Sequence, residues 1–220
     1  MSTQYKEYGY ASADAGWAHH YLMSPLRKLL GPPRSPILDI GCGNGAVART
    51  LLVEGYDVWG VDASESGIRL ANEASPGRFF VLDAALESLP AELSDIQFEV
   101  VISTEVIEHI YDPRAFLAFA RSILPEGGEL IVSTPYHGYA KNLALAISGR
   151  MDDHFTVLWD GGHIKFFSRK TLEAMLLEQG FSDIEFLGAG RFPFLWKSML
   201  LKSRVFLSSA SDKQSQLAVR

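Results

Sequence analysis

The sequence predicts an α/β fold, a mostly parallel sheet wound with helices, and three observations carry that prediction. The first is Ile37-Leu38-Asp39-Ile40-Gly41-Cys42-Gly43-Asn44-Gly45, a mainly apolar run closed by three glycines at alternate positions. Pro36 leads into it, and Ala46-Val47-Ala48-Arg49-Thr50-Leu51-Leu52 follows with helical spacing, so the stretch reads as strand, tight turn and helix. The second is the alternation of strand and helix signals along the rest of the chain, the pattern of a parallel sheet with crossover helices. The third is composition: 220 residues, 47% apolar and 21% charged, suit one globular domain with a full core.

The elements follow in order. Residues 24–30 carry a first helix signal. Strand 37–40 and helix 46–54 flank the glycine turn. Asp57-Val58-Trp59-Gly60-Val61-Asp62 supplies a second strand, at 58–61, and a helix at 64–74 follows. Arg78-Phe79-Phe80-Val81-Leu82 supplies a third, at 79–82, and Phe98-Glu99-Val100-Val101-Ile102-Ser103-Thr104 a fourth, at 100–104. Pro113 suits the first turn of a helix at 113–124. Gly127-Gly128 ends that connection and opens a fifth strand at 129–133. A helix at 169–179 stops at Gly180, which suits the position just past a helix end. Strands at 184–187 and 198–205 bring the number to seven. Residues 208–220, rich in Ser, Gln and Ala, read as a disordered tail, leaving 1–207 as a single domain.

Composition excludes several function classes. A net charge of −6 and a pI of about 5.5 argue against a nucleic-acid substrate. Cys42 is the single cysteine, so no internal disulfide forms, and a cytoplasmic location is expected. Its place in the turn suits a small filler residue better than a nucleophile. Residues 1–7 are polar and lack a signal-peptide core. No apolar run reaches the roughly eighteen residues a spanning helix needs.

The glycine turn defines the ligand question. Glycine allows positive φ and close ligand approach, and the turn opens on a helix N-terminus, which favours anionic groups. Gly41, Gly43 and Ala46 fit a dinucleotide fingerprint loosely. Asp39 points elsewhere: an acid inside an apolar strand would serve a ligand with a cationic amino-acid end. Asp62 ends the second strand about twenty residues on, placed to accept two ribose hydroxyls. Asp83 follows the third strand, within reach of an adenine amino group, and Glu105 follows the fourth. Acids thus recur at the carboxyl ends of successive strands, where open α/β sheets bind ligands.

Asp39-Ile40-Gly41-Cys42-Gly43-Asn44-Gly45, Val61-Asp62-Ala63-Ser64, Asp83-Ala84-Ala85 and Glu105-Val106-Ile107-Glu108-His109 together resemble the motif series of class I S-adenosylmethionine-dependent methyltransferases. The resemblance spans about residues 36–188. It implies a Rossmann-like, doubly wound sheet of seven mostly parallel strands, the last two pairing as an antiparallel edge. It implies S-adenosyl-L-methionine as cofactor, with the methionine end on Gly41 and Gly43, the ribose on Asp62 and the adenine by Asp83. Asp39, Asn44, Ala63, Ala84 and Glu105 complete the expected cofactor contacts. No second domain is expected, so the acceptor must be covered from within. An N-terminal cap (1–30) and an insertion after the fifth strand (136–162) are the two segments for that task, the second long enough to act as a lid or carry its own helix.

Glu105, Glu108 and His109 are spaced i, i+3, i+4, which places them on one face of a helical turn. Two carboxylates and an imidazole suit one divalent cation, Mg²⁺ or Mn²⁺ by their oxygens, with the imidazole favouring Mn²⁺, Fe²⁺ or Zn²⁺. His163, in Asp160-Gly161-Gly162-His163, is the expected fourth ligand, and His154 the second choice. This E-x-x-E-H pattern resembles two metal-using groups, the ubiquinone-biosynthesis O-methyltransferases and the small-RNA 3′-terminal 2′-O-methyltransferases. The expected catalytic residues are Glu108, His109 and His163. Glu-His after the fourth strand also occurs in metal-free members, where a histidine (His163, His154, His137 or His19) would serve as base.

The expected reaction is O-methylation of a small catechol-like or vicinal-diol acceptor. The alternatives are metal-free N- or C-methylation of a natural-product or lipid-like acceptor, and RNA terminal methylation, which would need a basic patch. A dehydrogenase and a non-catalytic cofactor binder are the rivals from other classes. Asn142-Leu143-Ala144-Leu145-Ala146-Ile147 and Phe192-Pro193-Phe194-Leu195-Trp196-Lys197 either line a pocket for an aromatic or lipophilic acceptor, touch a membrane surface peripherally, or simply pack. A monomer or homodimer is expected.

Overall fold

The strands are β1 (Ile37–Ile40), β2 (Val58–Asp62), β3 (Phe79–Val81), β4 (Val100–Thr104), β5 (Glu129–Pro135), β6 (Phe181–Ala189) and β7 (Ser198–Val205). The helices are α1 (His19–Leu30), α2 (Ala46–Val53), α3 (Glu65–Ala74), α4 (Pro113–Ile123), α5 (Tyr139–Ile147), α6 (Met151–Phe155) and α7 (Arg169–Glu178). The structure is a computed structural model, and it describes residues 9–16, 18–84, 88–155, 158–159 and 161–206. Ala85, Asp160 and the segment 208–220 expected as a tail lie outside the described residues, as do residues 1–8 of the expected cap.

The strands form one sheet in the order β3-β2-β1-β4-β5-β7-β6. The pairs from β3 to β5 are parallel, and β7 runs antiparallel to both β5 and β6. The chain moves outward from β1 in one direction to β3 and then returns to β4 on the other side of β1. The crevice at the carboxyl ends of β1 and β4 is therefore the switch point where such sheets take ligands.

Side-chain alternation supplies a core on each face. Leu38 and Ile40 of β1, Val101 of β4, and Leu130 and Val132 of β5 pack with Phe116, Leu117 and Ala120 of α4 and with Leu172 and Leu176 of α7. Ile37, Val100, Ile102 and Ile131 face the other way, toward Leu26 and Leu30 of α1, Leu51 of α2 and Ile68 of α3. Burying one such aliphatic side chain contributes about 1.5–3 kcal/mol, so this two-faced pattern is what fixes strand register.

Two elements start three residues or more ahead of the sequence reading. Helix α1 starts at His19, five residues before the expected 24, and runs through Pro25. Pro25 costs a backbone hydrogen bond, which the burial of Leu22, Met23, Leu26, Leu29 and Leu30 offsets. Strand β6 begins at Phe181, ahead of the expected 184, because its register shifts between Ser182 and Glu185 and Asp183 takes a φ of 52°. That irregularity breaks the two-residue alternation that a sequence pattern depends on. The insertion at 136–162 carries α5 and α6. No helix among the described residues is long and apolar enough to cross a membrane.

Candidate active site

The turn after β1 is a strained ring of backbone that only glycine relaxes. Gly41, Gly43 and Gly45 have φ of 80°, 55° and 74°. A Cβ on Gly41 would meet Val106 Cγ2 at 2.4 Å, so the turn nests against the segment after β4. Asp62, at the end of β2, ties this turn to the next. Its Oδ2 accepts from the Gly43 amide at 2.8 Å and its Oδ1 from the Ser64 amide at 2.7 Å. Ser64 in turn caps α3 by accepting from the Gly67 amide.

The N-terminal segment folds over this turn. Asn44 donates through Nδ2 to the carbonyls of Ser12 and Asp14, both at 2.9 Å. Arg49 donates to the Ala13 carbonyl, and the Tyr10 amide donates to Ser66 Oγ at 3.1 Å. Asn44 is thus a tether for residues 12–14, and the Tyr10 ring covers Gly43.

A cleft of about 1650 Å³ opens at the switch point. Gly41, Gly43, Asn44 and Asp62 line one end, and Ala63, Asp83 and Ala84 continue it. Glu105, His109 and His163 line the middle. Asp39 is fully buried behind the turn, outside the cleft wall, and neither of its carboxylate oxygens has a hydrogen-bond partner. Burial, with the nearby Asp62 charge, pushes its pKa up to about 8. Burial also pushes the Cys42 thiol well above its usual value, which suits a filler and not a nucleophile.

The structure brings together Glu108, His109 and His163, and turns Glu105 away. One ligating atom from each of the three lies within 4.8 Å of the others. Glu108 and His109 sit on a short 3₁₀ turn, Ile107–His109, and not on a longer helix. Glu105 precedes that turn with a φ of 54°, so the i, i+3 face does not form. Its carboxylate instead accepts from Ser133 Oγ at 2.8 Å and Ser198 Oγ at 2.9 Å, at the ends of β5 and β7. Glu105 therefore stays a cleft residue and leaves the expected metal set. Burial raises its pKa to about 7, against the two serine hydrogen bonds.

Glu108, like Asp39, is a buried acid whose carboxyl group lacks a hydrogen-bond partner among the described residues. It is fully buried, and neither carboxylate oxygen makes a hydrogen bond of good geometry, although Thr134 lies alongside. Burial and then the Glu105 charge push its pKa well up. His109 is oriented by backbone: its Nδ1 lies 3.0 Å from the Gly161 carbonyl and 3.2 Å from that of Gly162. Two acceptors on one nitrogen place the proton on Nδ1 and leave Nε2 with its lone pair. The rings of His109 and His163 are 4.9 Å apart. Burial lowers both pKa values, that of His163 to about 4, so both imidazoles are neutral at pH 7.

The remaining histidines have other partners. His154 Nε2 lies 3.2 Å from His137 Nδ1, and His19 Nε2 lies 3.3 Å from Thr50 Oγ1 on α2. His154, named as a second-choice ligand, is outside the group of three.

This chain matches the methyltransferase domain family over residues 15–185. The chain belongs to that family. Among its relatives, a ubiquinone biosynthesis O-methyltransferase of Ruegeria sp. is 33% identical over 168 residues, 73% of this chain and 66% of the relative. One from Azorhizobium caulinodans is 35% identical over 159 residues, 69% of this chain and 60% of the relative. The match thus spans somewhat less than two thirds of those relatives' length. In fold, this methyltransferase-family chain is similar to an S-adenosylmethionine-dependent methyltransferase from Thermotoga maritima, described as a possible histamine N-methyltransferase. That similarity has a TM-score of 0.63 at 22% identity and covers 83% of this chain and 87% of that one. It is also similar to magnesium protoporphyrin IX methyltransferase from Synechocystis with bound S-adenosylhomocysteine, at a TM-score of 0.58, 19% identity, and 83% and 80% coverage.

Sequence reasoning missed several residues of this methyltransferase cleft. Lys141, Arg150 and Arg191 line it from the α5–α6 insertion and the β6–β7 connection, beside Lys197, which ends the run 192–197 offered as a pocket wall. None belongs to a motif, and only the fold brings them together. Lys141 directly precedes the apolar run at 142–147, so a buried lysine at the start of that helix was the one available signal.

Proposed function

We propose that the chain transfers a methyl group from S-adenosylmethionine to a hydroxyl oxygen of a small catechol-like or diol acceptor, with a divalent cation on Glu108, His109 and His163. The O-methyltransferase names of the relatives support the reaction class. The observation that carries the reading is the unpaired, fully buried carboxylate of Glu108 beside the neutral imidazoles of His109 and His163, which line the cofactor-type cleft.

The residues fit the methyl donor. Asp62, at the end of β2, is the carboxylate we assign to the ribose, and the helix α2 N-terminus follows the glycine turn. The unpaired Asp39 carboxyl behind that turn, outside the cleft wall, would act on the donor's ammonium group through a water. When bound, the donor supplies an electrophilic methyl on a positively charged sulfur. The protein's part is then to align the acceptor oxygen with it and to see that oxygen lose its proton.

A cation also fits the cluster. Without Glu105 the donor set is one carboxylate and two imidazoles, which favours Mn²⁺, Fe²⁺ or Zn²⁺ over Mg²⁺. The ligating atoms must draw in slightly, since opposite ligands of an octahedron with bonds of about 2.1 Å lie about 4.2 Å apart. A bound cation would polarise the acceptor hydroxyl and lower its pKa. Glu108 and the two histidines would hold it, and the Gly161 and Gly162 carbonyls would fix the His109 ring. The free Nε2 of His109 favours a second reading, in which that nitrogen takes the hydroxyl proton directly and no cation is used.

The test combines binding and turnover. Calorimetry should show S-adenosylhomocysteine binding and no comparable NAD binding. Radiolabelled donor with catechol should give an O-methyl product whose formation stops in chelator and returns with Mn²⁺. Binding of NAD alone would overturn the cofactor assignment, and full turnover in chelator would leave the His109 reading.

A further inference from the structure

The cleft is electrically two-ended. Asp14, Asp62 and Asp83 line the end at β1–β3, and Lys141, Arg150, Arg191 and Lys197 line the opposite end, beyond Glu105. The protein as a whole is acidic, at −6, so a concentration of four basic side chains at one end of one cleft is a local feature that composition does not predict.

Lys141 anchors this end. It is 7% exposed, and its ammonium donates to the carbonyls of Tyr136 at 2.8 Å and Lys197 at 3.3 Å. Those two bonds use two of its three N–H donors. No carboxylate bonds it among the described residues. Glu105 is its nearest negative influence, but that carboxylate is already held by two serines. Arg191 is close enough that its charge adds to burial in pulling the Lys141 pKa down to about 8. Both cations act in the same way on His154. Arg191 itself makes no hydrogen bond or ion pair among the described residues. Two like charges that line one cleft, one of them buried, would both be stabilised by an anion bound there.

We infer that the acceptor carries an anionic group, a carboxylate or a phosphate, that docks on Lys141 and Arg191 and so points its hydroxyl at the Glu108–His109–His163 cluster. The inference rests on the methyl-transfer reading and names the acceptor class for it. A guanidinium and an ammonium pair well with either oxyanion, and the guanidinium offers the two parallel N–H groups that bidentate recognition uses.

The experiment compares acceptors matched in ring and hydroxyls. With the full chain and S-adenosylmethionine, 3,4-dihydroxybenzoate should be methylated with kcat/KM at least about tenfold above 3,4-dihydroxybenzamide, the loss of a charge-assisted hydrogen bond being worth that much. Arg191→Met, at an exposed position, should collapse that ratio toward one, with the effect in KM more than in kcat. Lys141→Met should do the same, but its ammonium also ties two backbone segments, so Arg191→Met is the deciding variant. Calorimetry of the S-adenosylhomocysteine-loaded protein with benzoate and with phenyl phosphate tells carboxylate from phosphate and needs no turnover. Binding of either that weakens at least about tenfold in Arg191→Met supports the assignment. Equal use of acid and amide, with neither anion binding, overturns it while leaving methyl transfer intact. Loss of S-adenosylhomocysteine affinity in Arg191→Met also overturns it, because the arginine would then hold the donor's carboxylate. Absence of S-adenosylhomocysteine binding in the unaltered chain would instead strike the underlying methyl-transfer reading.

Discussion

At the scale of single residues, the cleft is surrounded by carboxyls that the ligand-free fold leaves ill at ease. Asp39 has its pKa raised to about 8 by burial and by Asp62. Its contribution to stability is therefore fully present below the unfolded value of about 4 and is lost as pH rises through about 8. Glu105, raised to about 7, and Glu108, also raised well above its usual value by burial, act in the same direction. Asp39→Asn should remove part of this loss, so the ligand-free variant should melt about 3 °C or more above the natural protein at pH 8. The same change should weaken S-adenosylhomocysteine, which would make Asp39 a site of stability given up for binding. Identical melting curves at pH 8 would show that Asp39 carries no such strain. Asp62 has the opposite character, since it already accepts from Gly43 and Ser64. Asp62→Ala should lower S-adenosylhomocysteine affinity at least about tenfold, the worth of one charge-assisted hydrogen bond to a ribose hydroxyl. Unchanged affinity by calorimetry would sink the ribose assignment.

At the scale of elements, what was legible in the sequence divides by the kind of signal. β1, β4 and β7 were legible to the residue, because burial on both faces writes a continuous or strictly alternating apolar run. The acids at strand ends were legible because each follows such a run. The start of α1 was not, since Pro25 mimics a helix beginning, and the start of β6 was hidden by its register shift. In the cleft, Glu108, His109 and His163 were readable from spacing and from the glycines before His163. The swing of Glu105 was not, because its left-handed backbone is set by contacts with Ser133 that lie 28 residues away in the chain. Lys141 and Arg191 meet only through the fold. The insertion at 136–162 supplies a prediction of its own. α5 exposes Tyr139 (84%) and Ile147 (80%), a poor way to use apolar surface unless something covers it. Gly149, with a φ of 67°, separates α5 from α6 and provides a hinge position. We propose that α5 and α6 act as a lid. Amide exchange across 139–155 should slow several-fold when S-adenosylhomocysteine and 3,4-dihydroxybenzoate are both added. Equal exchange with and without them would remove the lid.

At the scale of the whole molecule, the proposed cation site joins two distant stretches of chain that backbone hydrogen bonds already hold together. The Glu108 carbonyl accepts from the amides of Ile164 at 2.9 Å and Lys165 at 3.0 Å, and the His109 ring reaches the Gly161 and Gly162 carbonyls. These hydrogen bonds bring the three ligating side chains within reach of one another. Binding should stabilise the fold, because an ion that meets a buried, unpaired Glu108 carboxylate prefers the native state. Mn²⁺ at about a hundredfold excess over its Kd should raise Tm by about 5 °C or more. The gain should shrink as pH falls, first as protons compete for Glu108, whose pKa burial raises, and then near pH 4 as they compete for His163. Glu108→Gln should abolish the Mn²⁺ shift and keep S-adenosylhomocysteine affinity, because Glu108 is fully buried and does not line the cleft that would hold the donor. Turnover should fall by at least about a hundredfold, the upper end of what losing an outer-shell partner of a metal costs. His163→Ala should behave alike, whereas Glu105→Gln should leave the Mn²⁺ shift in place, since Ser133 and Ser198 hold that side chain elsewhere. This last contrast separates the three-residue site from the four-residue site that spacing alone suggests. A Mn²⁺ shift lost in Glu105→Gln would restore Glu105 as a ligand. No shift in the natural protein, with full turnover in excess chelator, would assign the proton transfer to His109 alone.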